Sequence, residues 1–487
     1  MSRDDAAHVA RVGVIRRSCL SQAPVLCSVV LPPCLAAGIL GSWELAAALA
    51  PQAVGLLALS AMGPQEEDVS FRRIEATVVF SLTFILACLL SAPPFLVLGM
   101  GPVEALFEAT SGITSTGLSV ARAAEDWPPA AHLLRGWLQW CGGFALAFAG
   151  LTILHDHASA TRQFGASVFD ERDQLTTLRK QAKQLLALYV AVTAVAIAGC
   201  ILLLPTWWEG LAVALAAVST GGFSPRADSL ASYPAVAQVF VIAICTLTAM
   251  SFLFYIRLWR RGPRAAVSAG HAVLFLGLLA GGTALYAGLA ALGYGPEDGT
   301  SLAQVLNFVS GMTTAGFTAG PIAAAPLLLA LLLIGMVIGG DTGSTAGGMK
   351  IGRIAVAIEM VRLSIRRARL PPHGVLQLRD RGARQTADDI LVAGAVLVLY
   401  IATVLICWGA FLAAGHPPLA ALFDVVSAVS TVGLSSGLTG PDLGPVLTGV
   451  LTVGMLLGRL EFLALIALVL PGTWVRARRA AKYRKGP

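Results

Sequence analysis

Four short stretches, far apart in the sequence, carry the residues with the clearest chemistry. Each has two hydroxyl residues, one small or β-branched residue, a glycine, a leucine or phenylalanine, and a further hydroxyl residue. Their first four positions are, in loop 1, Thr114, Ser115, Thr116 and Gly117; in loop 2, Ser219, Thr220, Gly221 and Gly222; in loop 3, Thr313, Thr314, Ala315 and Gly316; and in loop 4, Ser430, Thr431, Val432 and Gly433. Consecutive loop glycines are 105, 94 and 117 residues apart. This recurrence predicts an internal fourfold repeat.

Such loops suit the coordination of a small cation. A dehydrated alkali cation needs oxygen ligands in place of its water shell, and backbone carbonyls provide them without full negative charges. Glycine lets the chain turn its carbonyls through positive φ angles that other residues resist. Small residues also serve as helix-packing positions in membranes, which would suffice for one loop alone. Four aligned loops instead favour a cation filter.

A short apolar segment precedes each loop and must position it. These segments cover residues 103–114, 208–219, 302–313 and 419–430. As helices each would reach only ~18 Å, less than a bilayer, so each must enter the membrane and turn back. Non-helical backbone at that depth needs protein or a water-filled cavity around it, which a ring of four loops provides. The negative helix ends would then point at the centre and favour a cation.

The composition is that of a membrane protein. Of 487 residues, 56% are apolar and only 13% are charged, which excludes an ordinary soluble domain. Most apolar runs are near the ~20 residues that span a bilayer. The sequence predicts about ten spans, at residues 24–40, 45–62, 76–98, 136–154, 185–204, 235–256, 270–293, 325–340, 391–413 and 445–470.

The positive charges alternate between the connections. The net charge of +7 comes from basic clusters before the first span, after every second span and in the C-terminal tail, Arg476 to Lys485. The intervening connections carry only Arg122 and Arg226 clear of a span. By the positive-inside rule both termini are cytoplasmic, so the excess charge reflects topology and no nucleic-acid partner is expected. Membrane lipid is the expected surrounding partner.

The other chemically active residue types predict no further site. The eight cysteines are scattered, mostly in apolar runs and without a C-x-x-C pair, so they are expected to be packing residues. The sequence His155, Asp156, His157 ends a span and could bind a metal, but a solvated helix end is favoured. No H-E-x-x-H, G-x-S-x-G or paired intramembrane aspartate occurs, so no enzyme is predicted.

A glycine-rich stretch interrupts the second span of the third repeat. Its residues are Gly340, Asp341, Thr342, Gly343, Ser344, Thr345, Ala346, Gly347 and Gly348, followed by Lys350. Glycine weakens a helix by ~1 kcal/mol relative to alanine, so a break is expected here. A flexible segment below a filter is a candidate gate, and we expect it to contribute little to packing, so that deleting 342–346 would raise flux. The spacing of its lysine excludes a P-loop.

Arg459 lies within the last apolar run, where an ionisable residue is costly and usually functional. Glu461 is two positions away and faces another side of the helix. Carbonyls of the glycine-rich stretch or Asp341 are the better candidate partners. The alternative is a structural cation satisfied inside the bundle.

The sequence resembles the Trk/Ktr/HKT superfamily of potassium transporters, and specifically its TrkH type with an extra N-terminal hairpin. The resemblance covers essentially the whole chain, through the four loops and the motifs at 133–143, 340–350 and 458–461. It implies a homodimer with one pore per protomer, a cytoplasmic ring of nucleotide-binding regulatory subunits, and an intramembrane loop that obstructs the pore beside an arginine matching Arg459. Asp341 departs from that pattern, in which a small uncharged residue is usual.

These observations predict an all-α integral membrane protein of four pseudo-symmetric helix, pore half-helix, helix units around a central pore, plus an N-terminal hairpin. The expected divisions are 1–70 for the hairpin, then 71–160, 161–264, 265–385 and 386–487 for the four units, the third with the gate and the fourth with the basic tail.

The predicted function is potassium uptake across the cytoplasmic (inner) membrane, with potassium as substrate and no bound cofactor. A sodium-permeable or ion-coupled cation symporter is the alternative, and the sequence leaves open whether flux is passive. An organic-solute transporter is less favoured, because it would more often consist of two halves than of four quarters.

Overall fold

The protein is represented by a computed structural model, in which residues 10–62, 72–162, 171–269, 271–296, 300–322, 325–367, 379–380, 383–384, 387–460 and 462–474 are described. Most of these residues are helical. The exceptions with regular structure are two antiparallel two-residue strands, β1 (Arg379–Asp380) and β2 (Ala383–Arg384). The all-α prediction is therefore confirmed. The side chains of His155, Asp156 and His157 lie outside the described part of the structure, as do Glu461 and the basic tail.

For description, the helices are grouped in chain order into an N-terminal hairpin and units 1 to 4, each of which contains one of the four short helices. The hairpin comprises α1 (Val12–Ser21), α2 (Ala23–Ile39) and α3 (Trp43–Ala61). Unit 1 comprises α4 (Arg73–Ser91), α5 (Pro93–Val97), α6 (Pro102–Ile113) and α7 (Pro129–Arg162); unit 2 comprises α8 (Glu171–Leu203), α9 (Trp207–Val218), α10 (Ala235–Ala249), α11 (Phe252–Arg261) and α12 (Pro263–Ala269). Unit 3 comprises α13 (Ala272–Leu289), α14 (Ser301–Met312), α15 (Pro326–Ile338) and α16 (Ile351–Arg367); unit 4 comprises α17 (Ala387–Ala413), α18 (Pro418–Val429), α19 (Pro445–Arg459), α20 (Leu463–Val469) and α21 (Pro471–Trp474).

Among the described residues, six helical segments are long and apolar enough to cross a membrane, and two bent pairs bring the total to as many as eight. The six are Val12–Ile39, Trp43–Ala61, Ile74–Val97, Lys180–Leu203, Ala272–Tyr294 and Ile390–Ala413. The chain is therefore a multi-pass membrane protein. The remaining predicted runs fall on α7 and on α15, a thirteen-residue helix that stops at the glycine-rich stretch.

Two spans predicted as continuous are bent. The chain turns by 79° between α10 and α11 and by 115° between α19 and α20. At the first bend Met250 and Ser251 are extended rather than helical. At the second, Phe462 has a φ of 53°. Arg459 consequently ends α19 and does not lie inside a regular helix.

The four predicted short segments are helices of twelve residues each, α6, α9, α14 and α18, and each starts and ends one residue before its predicted bounds. The N-termini of α9 and α14 are capped by threonine side chains. Thr206 and Thr300 accept hydrogen bonds from the N–H of Glu209 and Ala303. Most side chains of the four short helices are buried, so these helices lie inside the helical bundle.

The short helices pack in a closed cycle. The helix that follows the short helix of each unit contacts the short helix of the next unit: α7 packs on α9, α10 on α14, α15 on α18, and α19 returns to α6. Each short helix also packs on helices of its own unit. This order places the C-terminal ends of all four short helices around one centre.

Candidate ion pathway

Each short helix ends in the same turn. In loop 1 the N–H of Ser115 bonds to Gly112 O and that of Thr116 to Ser111 O, both at 2.9 Å, which is a Schellman C-cap. The same pair of bonds closes the helices before loops 2, 3 and 4. The second residue of every loop has a left-handed φ, at 50° in Ser115, 51° in Thr220, 54° in Thr314 and 50° in Thr431. This conformation is unfavourable for residues other than glycine, so its fourfold recurrence marks one shared loop geometry.

The loop glycines also share a positive φ, of 89° in Gly117, 78° in Gly222, 73° in Gly316 and 99° in Gly433. Each lies too close to the next loop for any side chain. A Cβ on Gly222 would lie 2.7 Å from the carbonyl oxygen of Ala315. Added to Gly117, Gly316 or Gly433, it would overlap the corresponding third-residue carbonyl of the neighbouring loop.

These contacts connect loop 1 to loop 2, loop 2 to loop 3, loop 3 to loop 4 and loop 4 back to loop 1. The structure therefore brings the four loops predicted from the sequence together in one closed ring. In this ring, the carbonyl oxygen of each loop's third residue lies against the glycine of the neighbouring loop. Hard oxygen ligands without net charge are what a dehydrated alkali cation requires.

A polar residue nine positions before the loop glycine supports three of the loops, and it was not among the site residues predicted from the sequence. These residues are Glu108, Asn307 and Asp424, and Val213 holds the position in unit 2. Asn307 accepts a hydrogen bond from Ala319 N at 2.8 Å and donates one to Gly320 O at 3.1 Å. Aligning the repeats on their glycines would have revealed this register.

Asp424 has the densest set of such contacts. It accepts hydrogen bonds from the hydroxyl of Ser435 at 2.8 Å, the N–H of Ser436 at 2.6 Å, and both the N–H and hydroxyl of Thr439 at 2.7 and 2.6 Å. Its side chain is fully buried. It therefore fixes the chain that leaves loop 4.

Asp424→Ala is expected to lower the thermal unfolding midpoint of the purified protein by several degrees, because each buried donor left unpaired costs about 1–3 kcal/mol. The matched control is Asp442→Ala, which removes an exposed carboxylate paired with Arg122 at 3.0 Å. A surface pair of this kind contributes about 0–1 kcal/mol. Equal midpoints for the two variants would contradict the structural role of Asp424.

Glu108 joins unit 1 to loop 2 through Arg135 of α7. Arg135 Nη2 lies 2.9 Å from Glu108 Oε1, and both side chains are buried. The guanidinium also stacks over the ring of Phe223, 3.9 Å from its centroid. Ser119, two residues after the loop 1 glycine, donates to the same carboxylate at 3.1 Å. The pair thus holds loops 1 and 2 together from outside the ring.

The glycine-rich segment, residues 339–350, lies between α15 and α16 and packs against the bend between α10 and α11. Asp341 N donates to Ala249 O at 2.9 Å, and Thr345 N donates to Thr248 O at 3.2 Å. In return Phe252 N donates to Gly343 O at 3.0 Å. The two interruptions therefore satisfy each other's backbone groups, as irregular backbone within a membrane requires.

The same segment contacts three of the four loops. Gly347 N donates to the hydroxyl of Thr314 at 2.8 Å, and Gly348 N donates to Ser430 O at 2.9 Å. The hydroxyl of Thr220 lies 3.3 Å from that of Thr345. The glycine-rich segment thus lies directly against the residues that precede the loop glycines.

Arg459 supplies the contact to the remaining loop. Its Nη1 donates to Thr345 O at 3.2 Å, and its Nη2 donates to Ser115 Oγ and Gly142 O, both at 3.2 Å. The side chain is buried. The carbonyl partner expected from the sequence is therefore present, and the guanidinium links loop 1, α7 and the glycine-rich segment.

Asp341, the other partner considered for Arg459, has a different neighbour. Its Oδ1 accepts a hydrogen bond from Thr342 N at 2.8 Å and lies 3.9 Å from His271 Nδ1. Lys350 is buried and has a φ of 68°. The carboxylate therefore belongs to the side of the segment that faces the start of α13.

The expectation that this segment contributes little to packing is wrong. Ser344, Thr345 and Ala346 are fully buried, and the segment's amides bond to α10 and to two loops. It lacks regular helical hydrogen bonds but has replaced them with bonds to neighbouring backbone. The reason is that the helix is itself interrupted after α10, at Met250 and Ser251, where the sequence predicts a continuous span.

A multi-pass helical membrane protein whose four short helices end at one closed ring is the class that this fold and site define. The TrkH family profile, described as a cation transport protein, matches residues 65–264 and 295–471. The chain belongs to the TrkH family.

Individual relatives agree with this assignment. The Trk system potassium uptake protein TrkI of Halomonas elongata is 30% identical over 428 residues, which are 83% of this chain and 85% of the relative. TrkH of the same organism is 27% identical over 456 residues, covering 89% and 93% of the two chains. The crystal structure of the potassium transporter TrkH from Vibrio parahaemolyticus shares the fold, with a TM-score of 0.81 at 22% identity over 94% of this chain and 99% of that one.

Proposed function

We propose that this protein takes up potassium through the ring of loops 1 to 4, which acts as its selectivity filter. The observation that carries the proposal is the closed series of contacts in which each loop glycine lies against a carbonyl oxygen of the next loop. Four backbone oxygens held in one closed ring would replace the water shell of an alkali cation, and the four helix C-termini would add a favourable potential. Relatives named as potassium uptake proteins support potassium as the substrate.

In this proposal the glycine-rich segment is the gate, with Arg459 as its latch. The segment lies against Thr220, Thr314 and Ser430, which precede the glycines of loops 2, 3 and 4, and we take this side of the filter ring to be the cytoplasmic one. Arg459 binds its Thr345 carbonyl and adds a positive charge that opposes a passing cation. Flux would require this contact to break.

Uptake of radiolabelled rubidium into cells that lack their own potassium transporters tests the function. Expression of this chain should raise uptake well above the empty-vector level, and excess unlabelled potassium should suppress it. Suppression by sodium instead would favour the sodium-permeable alternative. No uptake, with the protein present in the membrane, would refute the proposal.

The wider organisation is part of the same proposal. The protein divides into the N-terminal hairpin, residues 1–70, and four pore units, lies in the cytoplasmic membrane with both termini inside, forms a homodimer, and binds a cytoplasmic ring of nucleotide-binding subunits. The basic residues on alternate connections support this orientation.

Single cysteines at Arg226 and Arg366, in a cysteine-free background, test the orientation. Arg226 follows loop 2, and Arg366 is an exposed residue near the end of α16. A membrane-impermeant thiol reagent applied to intact cells should label position 226 and label position 366 only after lysis. Labelling of both positions from the same side would overturn the topology.

A further inference from the structure

Helix α7, which follows the short helix of unit 1, places a polar side chain directly against loop 2. Gln139 is fully buried, and its Nε2 donates a hydrogen bond to the carbonyl oxygen of Gly221. Its Oε1 accepts a hydrogen bond from the N–H of Phe223 at 3.3 Å. One amide therefore bridges the two residues on either side of the loop glycine, Gly222.

Loop 2 is also the loop with a glycine at its third position, where the other loops carry Thr116, Ala315 and Val432. A Cβ on Gly221 would lie 2.6 Å from Oε1 and 2.8 Å from Nε2 of Gln139. The glutamine amide thus occupies the space that a side chain of the loop would need. Gln139 and Gly221 form a complementary pair, the residue from α7 replacing the missing side chain of the loop.

Unit 4 carries an apolar residue at the position equivalent to Gln139 of unit 1. Gly142 of α7 and Gly458 of α19 hold the same register, because a Cβ on either would overlap the backbone at the end of its own unit's short helix. Three residues before them lie Gln139 and Met455, and Met455 is also fully buried. Since methionine has a similar length but no N–H, a fully buried side chain at this position of the repeat does not by itself require an amide.

We propose that Gln139 is a positioning residue that sets the ion preference of the filter through the carbonyl of Gly221. The inference rests on the proposed filter function. A carbonyl oxygen that already accepts an N–H offers a weaker field to a cation. A weaker field favours the cation that is easier to dehydrate, which is potassium rather than sodium. The second hydrogen bond, from Phe223 N–H to Gln139 Oε1, fixes the orientation of the amide. Its N–H group therefore always points to the carbonyl oxygen of Gly221.

The first test is Gln139→Met, which keeps the length of the side chain and removes the donor. We expect the preference for potassium over sodium, measured as sodium inhibition of rubidium uptake, to fall about threefold to tenfold, the effect of losing one neutral hydrogen bond. The matched control is Gln238→Met. Gln238 is a buried glutamine of α10 whose amide donates to Leu230 O at 3.1 Å and Tyr233 O at 2.9 Å, outside the loops. Its substitution should leave the preference unchanged.

A second pair of variants separates the hydrogen bond from packing. Gly221→Ala places a methyl group against the Gln139 amide and should reduce both protein level and uptake. Combining it with Gln139→Ala makes room for that methyl group, so protein level and uptake should recover. The preference should stay shifted towards sodium, because the donor is still missing. Recovery of the wild-type preference would show that Gln139 only fills space and would overturn the inference.

The glycine variant Gly222→Ala, measured in parallel, distinguishes failure of this inference from failure of the filter. If Gly222→Ala changes the ion preference and neither Gln139 variant does, the filter stands and the role of Gln139 is refuted. If none of them changes it, both proposals fall. Loss of membrane insertion in Gln139→Met and in the double variant would also overturn the inference, since it would make Gln139 a residue required for folding.

Discussion

Gly433→Ala and Gly222→Ala are each expected to reduce potassium uptake at least about tenfold and to let sodium compete, while the protein still inserts in the membrane. A Cβ on Gly433 would overlap the carbonyl oxygen of Thr116, and one on Gly222 would lie 2.7 Å from that of Ala315. A methyl group must therefore displace an oxygen of the ring. Ion selectivity depends on the number and field of these oxygens, so one displaced carbonyl alters it.

The chain provides a matched control four residues after Gly433. Gly437 has a φ of 97°, close to the 99° of Gly433, so alanine imposes the same backbone strain at both positions. A Cβ on Gly437 would meet nothing within 4 Å. Gly437→Ala should therefore transport potassium with normal preference. Rubidium uptake with increasing sodium, normalised to the protein in the membrane, measures the difference. Equal effects of Gly433→Ala and Gly437→Ala would remove loop 4 from the filter.

The local sequence was sufficient to predict the short helices and their loops. Two hydroxyl residues followed closely by glycine mark the end of an apolar helix, and four copies in register fixed the bounds of α6, α9, α14 and α18 to within one residue. The glycine-rich break after α15 was predictable for the same reason, because glycine density disfavours a helix. Structure that depends on contacts within one repeat can thus be predicted from the residues of that repeat.

The features that the sequence did not reveal depend on partners far along the chain. The bend at Met250 and Ser251 contains neither glycine nor proline, and its freed carbonyls accept hydrogen bonds from distant amides. The N–H of Thr345, for example, donates to Thr248 O, 97 residues earlier. Gln139 likewise contacts Gly221, 82 residues later. Residue type and spacing do not encode such pairs until the units are placed around the common centre.

Arg459→Gln is expected to raise cation flux several-fold. The neutral, shorter side chain loses the bond to Thr345 O and removes a positive charge from beside the pathway. Arg459→Lys separates these two contributions, because lysine keeps the charge but lacks the planar group that reaches Thr345 O, Ser115 Oγ and Gly142 O together. If charge alone opposes the cation, the lysine variant should behave as wild type. If the hydrogen bonds hold the segment closed, it should approach the glutamine variant.

Deleting residues 342–346 is a poor partner for this test, since the deletion would leave Thr248 O without its backbone donor. Thr345→Val is the better change. Valine has nearly the same shape but lacks the hydroxyl that bonds to Thr248 O at 3.2 Å and meets the hydroxyl of Thr220 at 3.3 Å. It should therefore loosen the segment from loop 2 and raise flux by less than Arg459→Gln does. Thr452→Val is the matched control, because that hydroxyl bonds only within α19 in the described contacts, to Thr448 O at 2.8 Å.

Combining Arg459→Gln with Thr345→Val tests whether both residues act on one gate. Arg459 binds the carbonyl of Thr345, and Thr220 meets its hydroxyl, so both contacts hold the same residue against the filter ring. Once the loss of either contact has released the segment, breaking the other should add little. The flux of the double variant should therefore exceed that of Arg459→Gln only slightly. Coupled residues depart from additivity in this way, whereas independent ones multiply their effects on flux. Adding Thr452→Val to Arg459→Gln should give the same flux as Arg459→Gln alone. Full multiplication of the Arg459 and Thr345 effects, or a loss of flux in either correctly inserted single variant, would refute the latch.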